Sequence, residues 1–203
     1  MNVAVTTEHR FFRTPDGSVW TDGVNSYEFW TRYLKSFDEV KVIARVRDVV
    51  SPGSDYRLAS GAGVVFSVLP DYLGPWQYLW KSVAVQRSLR HAIAPQDAVL
   101  LRVSSQIAGC AAPLLRGANR PYGLEVVNDP YDVFAPGAVR YRARPIFRWW
   151  FTRQLRRQCR HAAGAAYVTD RTLQARYPCA PYSVALSDVE IPRQATVDRK
   201  SVV

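Results

Sequence analysis

The chain has 203 residues, 48% hydrophobic and 22% charged, the balance of one large globular domain or two small ones and not of a disordered tail. Twenty-seven Lys and Arg against seventeen Asp and Glu give a net charge of +10, so an acidic partner has to be considered. The longest apolar runs, such as residues 107–115 with Pro113 inside, fall far short of the roughly 20 residues of a membrane-spanning helix.

Short apolar runs alternate with longer helix-biased stretches, the order of βαβ units and a parallel sheet. In chain order the predicted strands are Val3–Thr6, Val40–Val46, Gly63–Leu69, Ala98–Val103, Gly123–Val127, Ala165–Thr169 and Ser183–Leu186. Several are near-continuous Val, Ile, Leu and Ala, as expected where helices cover both faces. The expected fold is therefore α/β, a Rossmann-like doubly wound sheet of about seven strands. Between the strands, Asn25 or Ser26 can cap a helix carrying Tyr27, Trp30, Leu34 and Phe37. A second helix is expected from Pro75 to about Ala92, a third from a Ser104 or Ser105 cap toward Gly117, and a fifth from Asp170 or Arg171 to Tyr177. The fourth is rich in arginine: residues 138–160 hold eight arginines and no acid.

The N-terminus runs from Met1-Asn2 straight into Val3-Ala4-Val5 without a signal-peptide pattern, so a cytoplasmic chain is expected. Cys110, Cys159 and Cys179 are odd in number and lack ligand spacing, so buried thiols are expected and a metal site is not. Residues 1–187 form the expected domain, and 188–197 resemble the start of a linker. The last six residues, Asp198 to Val203, can be back-translated into the beginning of a common sequencing adapter, so a non-native tail on a truncated frame is expected.

No GxxxxGK[ST], GxGxxG, GxSxG or HExxH motif is present, which argues against an independent NAD or ATP domain. Candidate residues follow from the rule that open α/β sheets bind ligands beyond the carboxyl ends of their strands. Glu8, His9, Asp16, Gly17 and Trp20 follow strand one; Arg102, Ser104 and Gln106 follow strand four; Asn128 and Asp129 follow strand five. All are expected to cluster at one edge of the sheet. Asp and Asn suit hydroxyl-rich ligands, and a carboxylate can take a proton from a hydroxyl.

The ordered series Asp22-Gly23, Phe29-Trp30-Thr31-Arg32-Tyr33-Leu34, Phe37-Asp38-Glu39-Val40, Ala44-Arg45-Val46, Leu101-Arg102-Val103-Ser104-Ser105-Gln106-Ile107, Tyr122-Gly123-Leu124-Glu125-Val126-Val127, Asn128-Asp129-Pro130-Tyr131-Asp132 and Ala166-Tyr167-Val168-Thr169 resembles the N-terminal domain of a family 4-like GT-B glycosyltransferase, in particular bacterial members acting in polysaccharide or glycoconjugate synthesis. The resemblance covers about residues 1–188. It implies two facing domains, of which the acceptor-binding one is present. It also implies a nucleotide-sugar donor for the full-length enzyme, no cofactor bound by this fragment, and retention of configuration. The family's two-glutamate donor signature is not matched. Thr7-Glu8 stand where some members carry a glycine pair, so a backbone contact with the donor phosphate is not carried over. Asp129 is the first candidate to orient or deprotonate the acceptor hydroxyl and His9 the second, while Arg102 could hold Asp129 ionised or meet an anionic acceptor group.

On the arginine-rich helix Ala143, Phe147, Phe151, Leu155 and Cys159 recur every four residues as an apolar stripe. Arg148, Trp149, Arg153, Arg156 and Arg157 take other faces, and they suit an anionic membrane surface where lipid-linked acceptors are found. Two other classes compete with the transferase fragment. One is a nucleic-acid binder, suggested by the charge although 23 Arg to 4 Lys also fits a GC-rich coding bias. The other is a non-catalytic α/β binding module.

Overall fold

The computed structural model describes residues 1–139 and 143–186. The expected linker and tail, and Arg140 and Arg142, lie outside the described residues. In chain order the strands are β1 (Val3–Arg13), β2 (Val19–Thr21), β3 (Val40–Asp48), β4 (Arg57–Leu58), β5 (Val64–Leu69), β6 (Ala98–Val103), β7 (Gly123–Val126), β8 (Gly164–Tyr167) and β9 (Ser183–Ala185). The helices are α1 (Tyr27–Thr31), α2 (Gly74–Ala92), α3 (Gln106–Gly117), α4 (Pro130–Val133), α5 (Arg144–His161) and α6 (Thr172–Arg176), with a 3-10 turn at Tyr33–Lys35.

Strands β5-β3-β1-β6-β7-β8-β9 lie side by side and parallel. Chain order reverses between β1 and β6, which makes their carboxyl ends the topological switch point of the sheet. All seven predicted strands are present. Val19–Thr21 and Arg57–Leu58 are too short to carry a period-two pattern. They become β2 and β4 by antiparallel pairing, β2 on the far end of β1 and β4 on β2.

The first strand is much longer than its apolar run. Against β3, Thr6 pairs with Ile43 and Arg10 with Arg45, so four steps along β1 match two along β3. The surplus makes a bulge at Thr7, Glu8 and His9. On β1, only Val3 to Thr6 pair with β6, so the bulge lies where β1 and β6 part. Bulges re-aim side chains and end pairing, and this one opens the crevice.

Alternation along the strands divides the core between the two faces. Ala4, Ile43, Leu101 and Val103 pack with Leu89, Ile107 and Leu155 on the side of α2, α3 and α5. Val3, Val5, Val42 and Ala44 pack with Phe11, Trp30 and Tyr33 on the other. The Ser105 hydroxyl caps α3 by accepting from the Ala108 N–H at 2.9 Å, as one of the two expected caps. The helix expected after Ser26 breaks after Thr31 into the 3-10 turn. On α5, Leu155 and Cys159 are buried and Phe147 and Phe151 half-buried, so the apolar stripe faces inward as its spacing requires.

Candidate functional site

The bulge sends two consecutive side chains to different surroundings. Glu8 reaches the start of α3, where one carboxylate oxygen accepts from the backbone N–H of Gln106 at 2.9 Å and of Ile107 at 3.1 Å. Its other oxygen accepts from the Tyr72 hydroxyl at 2.7 Å, with the Arg45 guanidinium 3.5 Å away. Free N–H groups and the helix dipole make such a terminus an anion site, and here a side-chain carboxylate fills it. Burial, then the neighbouring Glu8 charge, push the Tyr72 phenol well above its ordinary pKa, which keeps it a donor. About one third of the Glu8 side chain remains exposed (34%).

Two adjoining pockets meet at this carboxylate. A smaller one, about 210 Å³, is lined by Ser104, Gln106, Asn128 and Pro130 from the ends of β6 and β7. A larger one, about 700 Å³, runs between α2 and α5 and is lined by Tyr78, Phe134, Ile146, Phe147, Trp150 and Phe151 among others. Glu8, Gln106, Phe134 and Phe151 belong to both. The Asn128 side-chain oxygen accepts from the Ser104 N–H at 3.1 Å, which fixes the polar wall. The polar end can hold hydroxyls, and the aromatic end can take an apolar or ring-bearing group away from water. Glu8, Ser104, Gln106 and Asn128 are thus brought together as expected.

Other candidates are not. His9 turns away from the cleft: its Nε2 lies 2.7 Å from Thr21 Oγ1 and 3.3 Å from an Asp22 oxygen. Burial lowers its pKa, against the opposing pull of Asp22. Asp16, Gly17 and Trp20 sit on the hairpin beyond Arg13, and five residues of extended β1 past Glu8 put them roughly 17 Å farther along. There Asp16 accepts from the Thr14 and Ser18 hydroxyls, which holds its carboxyl below its ordinary pKa. The Trp20 indole N–H donates to the Thr14 hydroxyl at 3.2 Å, and Gly17 takes the turn at φ +85°. The extension of β1 is what separates this group from the sheet edge.

The structure also corrects the pairing expected of Arg102. Its guanidinium is buried and donates to Glu125 at 2.7 Å, beneath Tyr33, whose hydroxyl donates to the same carboxylate at 2.7 Å. It neither meets Asp129 nor lines the cleft, because residues 102 and 125 are register partners on β6 and β7. Asp129 caps α4 by accepting from the Tyr131 N–H at 2.9 Å, accepts from the Tyr177 hydroxyl at 2.6 Å, and pairs with Arg176. Both of its oxygens are engaged. Tyr72 and Arg45 belong to the site without having been expected. Arg45 lies near a strand's carboxyl end and could have been found by the rule used for the others. Tyr72 carries no local signal and arrives through the β5–α2 connection.

Along α5, Arg148, Trp149, Arg153, Arg156 and Arg157 line an open trough of about 750 Å³ with Arg160 and His161. Arg148 lies 3.5 Å over the Tyr131 ring and donates to its carbonyl.

No family model matches the chain. It is 28% identical to protein CapJ of Staphylococcus aureus over 155 residues, which are 76% of this chain and 39% of CapJ. Apo UGT2 of Phytolacca americana superposes with a TM-score of 0.52 and 12% identity over 90% of this chain and 51% of that one. A ugt transferase from Siraitia grosvenorii in complex with UDP gives a TM-score of 0.44 and 8% identity, covering 92% and 50%. The chain spans about half of these structures and less of CapJ. The likeness to UGT2 shows the fold, a mostly parallel α/β domain similar to GT-B glycosyltransferase domains.

Proposed function

We propose that this chain is the acceptor-binding half of a glycosyltransferase that moves a sugar from a nucleotide-sugar to a hydroxyl of a glycan, lipid-linked or other acceptor. The observation that carries the reading is the cleft at the switch point, with a polar compartment around Glu8 and an apolar one beside it. In such an enzyme this half has little covalent chemistry to do. Holding a hydroxyl in line with the anomeric carbon can by itself supply several kcal/mol of the barrier. Glu8, fixed by two backbone N–H groups and a tyrosine and still partly exposed, is suited to accept that hydroxyl. Ser104, Gln106 and Asn128 are suited to orient its neighbours. Asp129, its side chain only 10% exposed and held by Tyr177 and Arg176, serves the fold of α4 and α6 in this reading. The family 4-like resemblance supports hexosyl transfer with retention.

The donor is assigned to a second domain outside this sequence, a division supported by the share of UGT2 and CapJ that the chain spans. Reading the source DNA past the codon for Val197 tests it. The expected result is a frame continuing for roughly another 150 residues with a second βα series and paired glutamates. The longer protein is then expected to transfer sugar to amphipathic hydroxyl acceptors, and the 203-residue chain to turn over no nucleotide-sugar. Turnover by the shorter chain, or none by the longer one across nucleotide-sugars, overturns the reading.

A further inference from the structure

Two helices that border the cleft present apolar side chains to solvent. On α2, Trp76, Leu79, Trp80 and Val83 recur at i, i+3, i+4 and i+7 and share one face; they are 62–89% exposed. The same helix buries Val85 and Leu89, so its first half offers outward a stripe as apolar as the one its second half buries. On α5, Ile146, Trp149 and Trp150 are each more than half exposed. The apolar compartment opens between the two helices, with Tyr78 of α2 and Trp150 of α5 in its walls.

The charge on these helices has one sign. Helix α2 carries Lys81, Arg87 and Arg90, α5 carries six arginines, and neither contains an acidic residue. Among the described residues no carboxylate pairs with any α5 arginine. Exposed apolar patches of this extent mark interaction sites. A purely apolar protein partner would cover the tryptophans and leave the cations unanswered. An anionic bilayer answers both, since indole rings settle at the headgroup level and guanidinium groups meet lipid phosphates. Among the described residues no helix is long and apolar enough to cross a membrane, so the contact is with its surface.

We propose that α2 and α5 together form a docking face for an anionic lipid bilayer, with the apolar compartment opening onto the lipid. The proposal stands apart from the transfer reading, because its test reads binding alone. The 203-residue chain is co-sedimented with phosphatidylcholine vesicles with and without phosphatidylglycerol, at low and high salt. Binding is expected on the anionic vesicles, weakening with salt. Arg156→Gln and Arg157→Gln should each weaken it about fivefold, and Trp76→Ser with Trp80→Ser should weaken it about tenfold or more. Equal binding to both vesicle types, no binding, or parental binding by the tryptophan variant overturns the proposal. If the parent ignores vesicles but self-associates in sedimentation velocity, and the tryptophan variant is monomeric, the face covers a second copy of this chain instead.

Discussion

Glu8 and Glu125 are both carboxylates on strands of the parallel sheet, β1 and β7, yet their surroundings give them different work. Glu8 is partly open and lines the cleft. Replacing it by Gln in the longer enzyme keeps the shape and removes the charge. The expected outcome is a loss of about ten- to a hundredfold in kcat/KM for the acceptor, with the thermal midpoint lowered by a few degrees because the α3 N-terminus and Arg45 lose the carboxylate charge. Glu125 is buried against Arg102, Tyr33 and Arg32. Glu125→Gln removes the buried carboxylate charge that Arg102 and the Tyr33 hydroxyl share and should cost about 3 kcal/mol in urea unfolding. Adding Arg102→Met should recover a substantial part, which marks the arginine as structural. His9 sets a pH dependence of stability. Burial lowers its pKa below the ordinary 6.5, so the unfolded chain takes up this proton at a higher pH than the folded one. Its contribution is complete above about 6.5 and is lost as pH falls through the folded value. Between about pH 7 and about pH 5 the parent chain should lose more stability than His9→Gln, measured by urea midpoints at each pH.

At the scale of elements, α2 shows how one helix can serve two ends. Leu89 is fully buried and Trp80 is 89% exposed, although both are large and apolar. Leu89→Ala should cost about 2–5 kcal/mol, and Trp80→Ser should stay within about 0.5 kcal/mol in the same unfolding assay. Pro75 in the first turn placed the helix and could not tell its two stripes apart, since both are apolar and only packing decides which is covered. The start of α3 was legible to one of two residues, Ser104 or Ser105, because a cap is a local hydrogen bond, and the structure selects Ser105. The length of β1 was not. Thr7-Glu8-His9-Arg10 break the apolar run, and the strand continues only because β3 and β2 supply partners.

Across the whole molecule, the parallel order β5-β3-β1-β6-β7-β8-β9 places the crevice off the centre of the sheet, where β1 and β6 part. The cleft there has an inner wall of strand ends and helix starts, and α2 and α5 flank its apolar side. In the proposed enzyme, closure of a donor-holding second domain over Glu8 would complete the site.

The sequence by itself determined the fold class, the seven parallel strands, the capped α3, the inward stripe of α5 and the four cleft residues Glu8, Ser104, Gln106 and Asn128. Each rests on local hydrogen bonding, on hydrophobic period, or on the rule that strand ends meet at one edge. Tertiary structure decided that Arg102 faces Glu125, that Asp129 is consumed by Arg176 and Tyr177, and that the Asp16 hairpin stands away from the cleft. It also decided which tryptophans stay outside. These outcomes depend on register between strands and on contacts between residues dozens of positions apart, such as Asp129 with Tyr177, which no local pattern of side chains encodes.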